Sequence, residues 1–364
     1  MQIVKEGRAS IEVKEGIFYN PKMAGLRDLS VLFLNSMGLK GYSLLDTTSA
    51  TGIRGIRYRL EAGAWKVTFL DINKKAYLNT KANIKRNKIR GMALDRSIQQ
   101  FCNETEEHFD VIDLDPFGSA APYVYDLLKA AKDGTVLMAT GTDTAVLCGA
   151  TPLACYKNYG AMPMHNELCH EAGIRILIGF IAKLAAQFNF GIEVKMAVSN
   201  LHYMRVFLVL RHGAKEAVES VREMGFAGAC GSCRSVEYAR GLVPRIDSEC
   251  KNCRAQMQLF GPLWLGSIKD KKVLARMAKG APAGIEMGMV RLVERINGEL
   301  DLPFYYSVPK ITRQLGIGSV SKRLVIAELG KKHAVSETHF DGDAIKTDAG
   351  ILEIIEAVKT ASRQ

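Results

Sequence analysis

Beginning at Tyr42, the chain alternates short apolar runs with amphipathic stretches. Tyr42–Asp46, Lys66–Asp71, Phe109–Asp115 and Thr135–Ala139 read as strands, and Ile53–Glu61, Asn73–Asn87 and Ala121–Lys132 between them read as helices. Such alternation predicts βαβ units and a parallel sheet with helices on both faces. Past a long helix near Glu167–Gln187, two more strand-like runs, Ile192–Val198 and Arg205–Leu210, are joined only by residues 199–204. That link is too short for a helical crossover, so the two runs are expected to pair antiparallel. The expected fold class is α/β, a doubly wound sheet with an antiparallel terminal hairpin.

Both ends of the chain depart from this pattern. Ala9–Val13 alternates like a strand, Glu15-Gly16 turns, and Ile17–Tyr19 resumes the strand. Asn20-Pro21 then breaks it before a helix through Arg27, Asp28 and Val31–Phe33. Around Gly225 the composition shifts to Gly, Cys, Arg and Ser, and a cysteine-bearing segment runs to about Leu265. Helices near Lys269–Gly280 and Lys310–Gly316 lead into a mixed α/β stretch ending at Ala361. Three units are expected: residues 1–225, 226–265 and 266–364.

At 364 residues, 48% hydrophobic and 24% charged, the chain has ample apolar material for a core. Its 49 Lys and Arg against 38 Asp and Glu leave a net charge of +11. That surplus favours a polyanionic partner through counterion release, although a basic enzyme with no nucleic-acid partner would also carry it. Met1–Arg8 lacks the apolar centre of a signal peptide. The longest apolar stretch, Ile174–Ile192, is interrupted by Arg175 and Lys183, so it reads as a buried helix and not a membrane span. Eight cysteines without a secretory signal point to reduced thiols, core residues or metal ligands. A cytoplasmic protein without a membrane partner is expected, with a monomer as the favoured state.

Candidate chemistry sits at the strand ends. The first strand runs into Leu44-Leu-Asp46-Thr-Thr-Ser-Ala50-Thr-Gly52-Ile-Arg54-Gly55, small residues leading into a helix. A doubly wound sheet binds nucleotide-like ligands at such a turn, where small side chains allow close approach to the backbone; a plain tight turn would look similar. Asp71 ends the next strand 19 residues after Gly52, where an acid can hydrogen-bond both hydroxyls of a ribose. No Gly-Lys-Ser/Thr phosphate loop is present, which counts against ATP or GTP. S-adenosylmethionine (SAM) fits better, because it carries adenosine without phosphates.

The sharpest motif is Val111-Ile-Asp113-Leu-Asp115-Pro116-Phe117-Gly118. It places a carboxylate, a constrained carbonyl and an aromatic ring at the carboxyl edge of the sheet. An exocyclic base amine is a poor nucleophile because its lone pair is delocalised into the ring. Hydrogen bonds from N–H to Asp115 and the Pro116 carbonyl would make the nitrogen more tetrahedral, and Asp115 could receive the departing proton. Phe117 would stack on the base, a contact worth roughly 1–3 kcal/mol.

With these motifs in place, the chain resembles the tRNA (guanine-26, N2)-dimethyltransferase family in its compact archaeal form. The matching segments are Phe18-Tyr-Asn-Pro21 with Arg27-Asp28, Ser49-Ala-Thr-Gly-Ile-Arg54, Asp71, Asp113-Leu-Asp-Pro-Phe-Gly118 and Thr140-Gly-Thr-Asp-Thr144. Further matches are Tyr159-Gly-Ala-Met-Pro163, Cys169-His-Glu-Ala-Gly-Ile-Arg-Ile-Leu177 and His202-Tyr-Met-Arg205. The resemblance spans most of residues 10–265 and implies a class I, Rossmann-like SAM-methyltransferase fold. It implies SAM contacts from Arg27, Arg54, Asp71 and Asp95 as well as Asp46, Ala50 and Gly52 in the first loop. Asp115 would be catalytic with Pro116, and Phe18 and Phe117 would grip a flipped guanine of tRNA. Asp46-Thr-Thr48 and the segment around Asp95-Arg96 depart from the family pattern. Two rivals remain: an amino-methyltransferase acting on rRNA or DNA, and an RNA-binding protein with an inactive methyltransferase fold, against which the intact Asp71 and Asp115 speak.

Cys230-x2-Cys233 and Cys250-x2-Cys253, 16 residues apart, have the spacing of a four-cysteine zinc ribbon. The ion would be structural, replacing a core that some 40 residues cannot build. Arg234, Arg240, Arg245, Lys251 and Arg254 give this ribbon a basic face, either merely solvated or touching tRNA phosphates. The C-terminal α/β unit would also hold the tRNA. Cys102, Cys148, Cys155 and Cys169 lack partners at ligand spacing and are expected to be core residues. His170, Glu171 and Arg175 interrupt an apolar helix and are expected to form a buried, satisfied polar cluster.

Overall fold

The computed structural model describes residues 2–200, 202–282 and 284–363. Its first half contains β1 (Gln2–Glu6), β2 (Ala9–Val13), α1 (Ala24–Met37), β3 (Ser43–Asp46), α2 (Ile53–Glu61), β4 (Lys66–Asp71), α3 (Lys74–Arg86), β5 (Gly91–Asp95), α4 (Ile98–Glu104), β6 (Phe109–Leu114), α5 (Ala121–Lys129) and β7 (Ala131–Gly141). There follow α6 (Thr144–Leu147), α7 (Pro152–Tyr159), α8 (Cys169–Gln187), β8 (Phe190–Asn200), β9 (Tyr203–His212), α9 (Ala214–Arg222), β10 (Met224–Cys230), β11 (Val236–Arg240) and β12 (Met257–Trp264). The chain ends with α10 (Lys271–Lys279), α11 (Met287–Gly298), β13 (Tyr306–Ser307), α12 (Val308–Leu315), α13 (Lys322–Leu329), β14 (Val335–Glu337), β15 (Ala344–Thr347) and α14 (Ile351–Ala361).

Seven strands form one sheet in the order β5-β4-β3-β6-β7-β9-β8. The first five are parallel, and β9 runs antiparallel between β7 and β8. The hairpin expected from the short link is present, with Asn200 facing Tyr203; Leu201 in that link lies outside the described residues. Chain order reverses between β3 and β6, so the crevice above their carboxyl ends is the switch point at which open α/β sheets bind ligands. Among the described residues, no helix is long and apolar enough to cross a membrane.

The expected strand at Ile17–Tyr19 does not form. Instead β2 pairs with β1 across a turn in which Gly7 has φ +53°. The other edge of β2 is taken by three asparagines one helical turn apart, two on α3 and the third, Asn87, capping its C-terminal end. Asn87, Asn83 and Asn79 accept hydrogen bonds from the backbone N–H of Ser10, Glu12 and Lys14 at 2.9, 2.8 and 3.1 Å. With both edges occupied, Ile17–Tyr19 has nothing to pair with and emerges as a loop.

The ribbon strands order β11-β10-β12 and lean on α8, where Ala227, Phe260 and Trp264 share a core with Ile174, Leu177 and Ile181. Gly179 permits that approach, because a Cβ there would lie 2.6 Å from Met224 Cε. Helices α10 and α11 pack against α1 through Val273, Leu274, Val290 and Val293. The last strands, ordered β13-β15-β14, enclose a core of their own with α12, α13 and α14.

Candidate active site

The loop after β3 is held from several sides. Thr47 donates from N and Oγ1 to the Asp113 carbonyl at 3.1 and 2.9 Å, and Ser49 donates from N and Oγ to the Leu70 carbonyl at 2.9 and 3.1 Å. Ala50 adopts φ +49°, a left-handed conformation rare for a residue with a Cβ. It is held there by Asp71 Oδ2, which accepts the Ala50 N–H at 2.8 Å, and by Thr80, whose hydroxyl donates to the Ala50 carbonyl at 3.0 Å. Strained backbone of this kind concentrates at binding sites. Asp71 Oδ1 accepts the Asn73 N–H at 2.8 Å, and Asp95 stands beside Asp71 in register on the exposed edge strand.

Behind the loop, Asp46 accepts the Gly55 N–H at 3.0 Å. Burial, and after it the neighbouring Asp113, push the Asp46 carboxyl up to about 7 against the pull of the Gly55 N–H and Arg54. Asp113 is fully buried and shared: Tyr58 donates to Oδ2 at 2.6 Å and Arg205 to Oδ1 at 2.7 Å. Arg205 also donates to Thr140 Oγ1 at 2.6 Å, tying β9, β7 and β6 together just before Asp115.

Asp115 itself follows the last residue of β6, its side chain 22% exposed, and pairs with Arg54. Burial pushes its carboxyl up, but Arg54, Arg205 and a hydrogen bond from Thr140 prevail and hold it below the usual carboxylate range. It is therefore ionised at neutral pH. Arg54 is buried and its Nη2 is taken up by Asp115, but its Nη1 meets no hydrogen-bond acceptor among the described residues, and the Thr48 hydroxyl is likewise orphaned. Buried polar groups without partners are costly and call for an explanation.

The turn beyond Asp115 presents Phe117 to solvent at 96% exposure and puts Gly118 at φ +89°, where a side chain would be strained. It is clamped to the exit of β7: the Gly118 N–H donates to Thr142 Oγ1 at 2.7 Å and the Thr142 N–H to the Gly118 carbonyl at 2.9 Å. Ser119 meets Tyr159 at 2.8 Å, and Tyr159 donates to Asp143 at 3.0 Å. Phe18 is 65% exposed on a segment fixed by buried charges. Arg27 grips Glu6 through Nε at 2.6 Å and Nη2 at 2.5 Å, and Tyr19 donates to Glu6 at 2.9 Å. The fully buried Arg57 pairs with Glu6, Asp28 and Glu61 at 3.0, 2.7 and 2.8 Å.

Thus Asp46, Ala50, Gly52, Arg54, Asp71, Asp115, Pro116 and Phe117 gather along one edge of the sheet, while Arg27 faces Glu6. The sequence reading missed the positioning roles of Tyr58, Thr140 and Arg205. A usable signal existed for Arg205, a charge within the otherwise apolar run Tyr203–Leu210. Of the buried cluster expected at His170, Glu171 and Arg175, the last two are buried and paired at 2.8 Å, joined by Lys346 at 3.1 Å from the C-terminal unit; His170 is half-buried and turns to Cys148 and Ser199 instead.

In the ribbon, the four cysteine sulfurs lie within 4.8 Å of one another, with Cys230 to Cys253 at 3.4 Å and Cys233 to Cys250 at 3.5 Å. Each knuckle closes on a residue with positive φ, Arg234 at +67° and Arg254 at +61°. A tetrahedron with ~2.3 Å metal–sulfur bonds has sulfur–sulfur edges of ~3.8 Å, so this donor set suits zinc. Arg234, Arg240, Lys251 and Arg254 pair with acids, mostly at the surface, where such pairs are weak.

Comparison with known proteins agrees with this geometry. A family model described as N2,N2-dimethylguanosine tRNA methyltransferase matches residues 1–359. The tRNA (guanine(26)-N(2))-dimethyltransferase of Pyrococcus horikoshii is 35% identical, covering 98% of this chain and 97% of its own length. That of Thermococcus kodakarensis is 37% identical, covering 98% of each. The solved structure of Trm1 from Pyrococcus horikoshii in complex with S-adenosyl-L-methionine matches with a TM-score of 0.90 at 34% identity, covering 98% of this chain and 99% of that one.

Proposed function

The chain belongs to the N2,N2-dimethylguanosine tRNA methyltransferase family, and from that membership we propose how its own residues carry out the reaction. The enzyme transfers methyl groups from SAM to the exocyclic N2 of a guanosine in tRNA, position 26 at the junction of the D and anticodon arms. The observation that carries the residue assignments is an ionised Asp115 at the switch point, paired with a buried Arg54 whose Nη1 has no hydrogen-bond acceptor among the described residues.

SAM lies over the carboxyl ends of β3 and β4. The strained backbone at Ala50 and the bare Gly52 let it approach closely, and Asp71 receives the ribose hydroxyls with lone pairs not used by Ala50 and Asn73. The unpartnered Nη1 of Arg54 and the orphaned Thr48 hydroxyl donate to the carboxylate of SAM. Asp46, held near neutrality by its surroundings, gains the ammonium group as a partner that favours its charged form. Asp95 lies toward the adenine end, and Arg27 acts by fixing the entrance segment through Glu6.

The guanosine is extruded from its helix into a pocket beside Asp115, stacked by Phe117 and Phe18. Its N–H groups donate to Asp115 and to the Pro116 carbonyl. The carbon–nitrogen bond forms as the carbon–sulfur bond breaks, with nitrogen, carbon and sulfur in line. A carboxylate held low by Arg54 is a weak base, but a methylated aromatic ammonium is strongly acidic and gives up its proton readily. Asp115 therefore serves first to hold and aim the amine, and then to pass the proton to solvent. A second cycle gives the dimethyl product.

Residues 1–225 perform the transfer, and the ribbon of 226–265 and the unit of 266–364 hold the tRNA body through phosphates and shape. Cys230, Cys233, Cys250 and Cys253 would hold zinc, which supplies folding energy and no reaction chemistry. The enzyme works as a cytoplasmic monomer. The test offers isotopically labelled SAM with tRNA, rRNA and DNA side by side, followed by nucleoside mass spectrometry. Label in N2-methyl- and N2,N2-dimethylguanosine from tRNA alone is expected; label in adenine, cytosine or rRNA would overturn the assignment.

A further inference from the structure

A second group of soft donors lies outside both the reaction site and the ribbon. Cys148 follows the last residue of α6, and Cys169 and His170 open α8. Donor atoms of all three lie within 4.8 Å of one another, and Cys148 Sγ is 3.7 Å from His170 Nδ1. The two sulfurs are among the atoms within that distance of each other. All three side chains are half-buried, open to an ion from solvent yet backed by protein.

The convergence is built into the chain. Gly173, one helical turn beyond Cys169, brings α8 against α6; a Cβ there would sit 2.9 Å from the Leu147 carbonyl oxygen. Gly149, at φ +83°, draws the segment after Cys148 against Met164, where a Cβ would be 2.8 Å from the carbonyl oxygen. His165 Nδ1 meets the Cys148 carbonyl at 3.0 Å; Ser199 Oγ, 3.4 Å from His170 Nδ1, is the one contact the ion would displace. Close packing at Gly149 and Gly173 and the His165 contact thus hold together the two segments that carry the three donors.

We propose that Cys148, Cys169 and His170 form a second zinc site, with two thiolates, one imidazole and a fourth position left to solvent. Zinc–sulfur bonds of ~2.3 Å and zinc–nitrogen bonds of ~2.0–2.1 Å give a sulfur–nitrogen edge of about 3.6 Å in a tetrahedron, and the observed separation is close to that value. A disulfide between the two thiols would need an oxidant and would leave the imidazole without a part. On binding, each thiol releases its proton to solvent, and zinc stays divalent throughout. The ion would pin the end of α6, whose N-terminal Asp143 holds Tyr159 and, through it, Ser119 beside Phe117.

The test is zinc content per chain in full-length protein loaded with zinc chloride and gel-filtered. About two ions per chain are expected for the parent and about one for Cys148→Ser/Cys169→Ser, since only the ribbon site survives. His170→Gln, which keeps both sulfurs, should lose the second ion at a lower chelator concentration than the parent. Cobalt(II) loading gives an independent readout: the thiolate charge-transfer band should fall by about a third in the double variant, two of six thiolates being gone. One zinc per chain in the parent, an unchanged content in the double variant, or a Cys148–Cys169 disulfide in protein prepared without oxidant would overturn the proposal.

Discussion

Arg205 on β9 donates to Asp113 on β6 at 2.7 Å, and both side chains are fully buried although the residues are 92 positions apart. The bond sets the end of β6 against the hairpin two residues before Asp115, making Arg205 a positioning residue for the reaction edge. Replacing it with Leu strands a buried carboxylate, which costs about 3–5 kcal/mol. Denaturant unfolding should show a loss of that size, and Arg205→Lys should recover part of it. A Leu variant as stable as the parent would show that the pair does not organise this edge.

Phe117 is 96% exposed, so removing its ring should leave the fold within about 0.5 kcal/mol of the parent. Stacking on a base is worth roughly 1–3 kcal/mol, or about 5- to 150-fold in kcat/KM for tRNA. Steady-state kinetics of Phe117→Ala should show that loss with unchanged SAM affinity by calorimetry. Unaltered tRNA kinetics would remove Phe117 from the base-binding site.

Glu171 predicts acid sensitivity. Burial pushes its carboxyl up, yet Lys346 and Arg175 prevail and hold it below the ordinary 4.5. Because the folded state binds its proton less tightly than the unfolded chain does, its contribution is complete above the ordinary value and is lost as pH falls below about 4.5. Chemical denaturation of the parent should therefore weaken more steeply below that pH than that of Glu171→Gln. Parallel profiles would contradict this role.

Cys250, fully buried in its knuckle, tests the ribbon. Cys250→Ser should release the zinc proposed for the ribbon and lower tRNA affinity, with SAM binding retained, because the loop after β3 belongs to another part of the fold. Filter binding and calorimetry would separate the two effects; full tRNA affinity in the metal-depleted ribbon would confine zinc to folding.

Much of this was legible in the sequence because strand ends are local. Asp46, Asp71 and Asp115 each end or follow an apolar run, so periodicity alone placed them on one edge. Arg54 could be placed at the helix start but not assigned its ion pair with Asp115, since that depends on how β3 and β6 pair. The entrance segment was misread for a similar reason. The partners of β2 are side chains of Asn79, Asn83 and Asn87 more than 60 positions away, and no local pattern shows a helix completing a strand edge. The packing of α10 and α11 on α1 joins opposite ends of the chain and left no trace in local composition.

The central claim is that Asp115 aims the guanine amine. The direct measurement is single-turnover methyl transfer by Asp115→Ala with saturating SAM and tRNA, with both affinities measured separately. Both ligands should bind nearly as in the parent while the transfer rate falls by ~10²–10⁴-fold. Transfer at close to the parent rate would contradict the account.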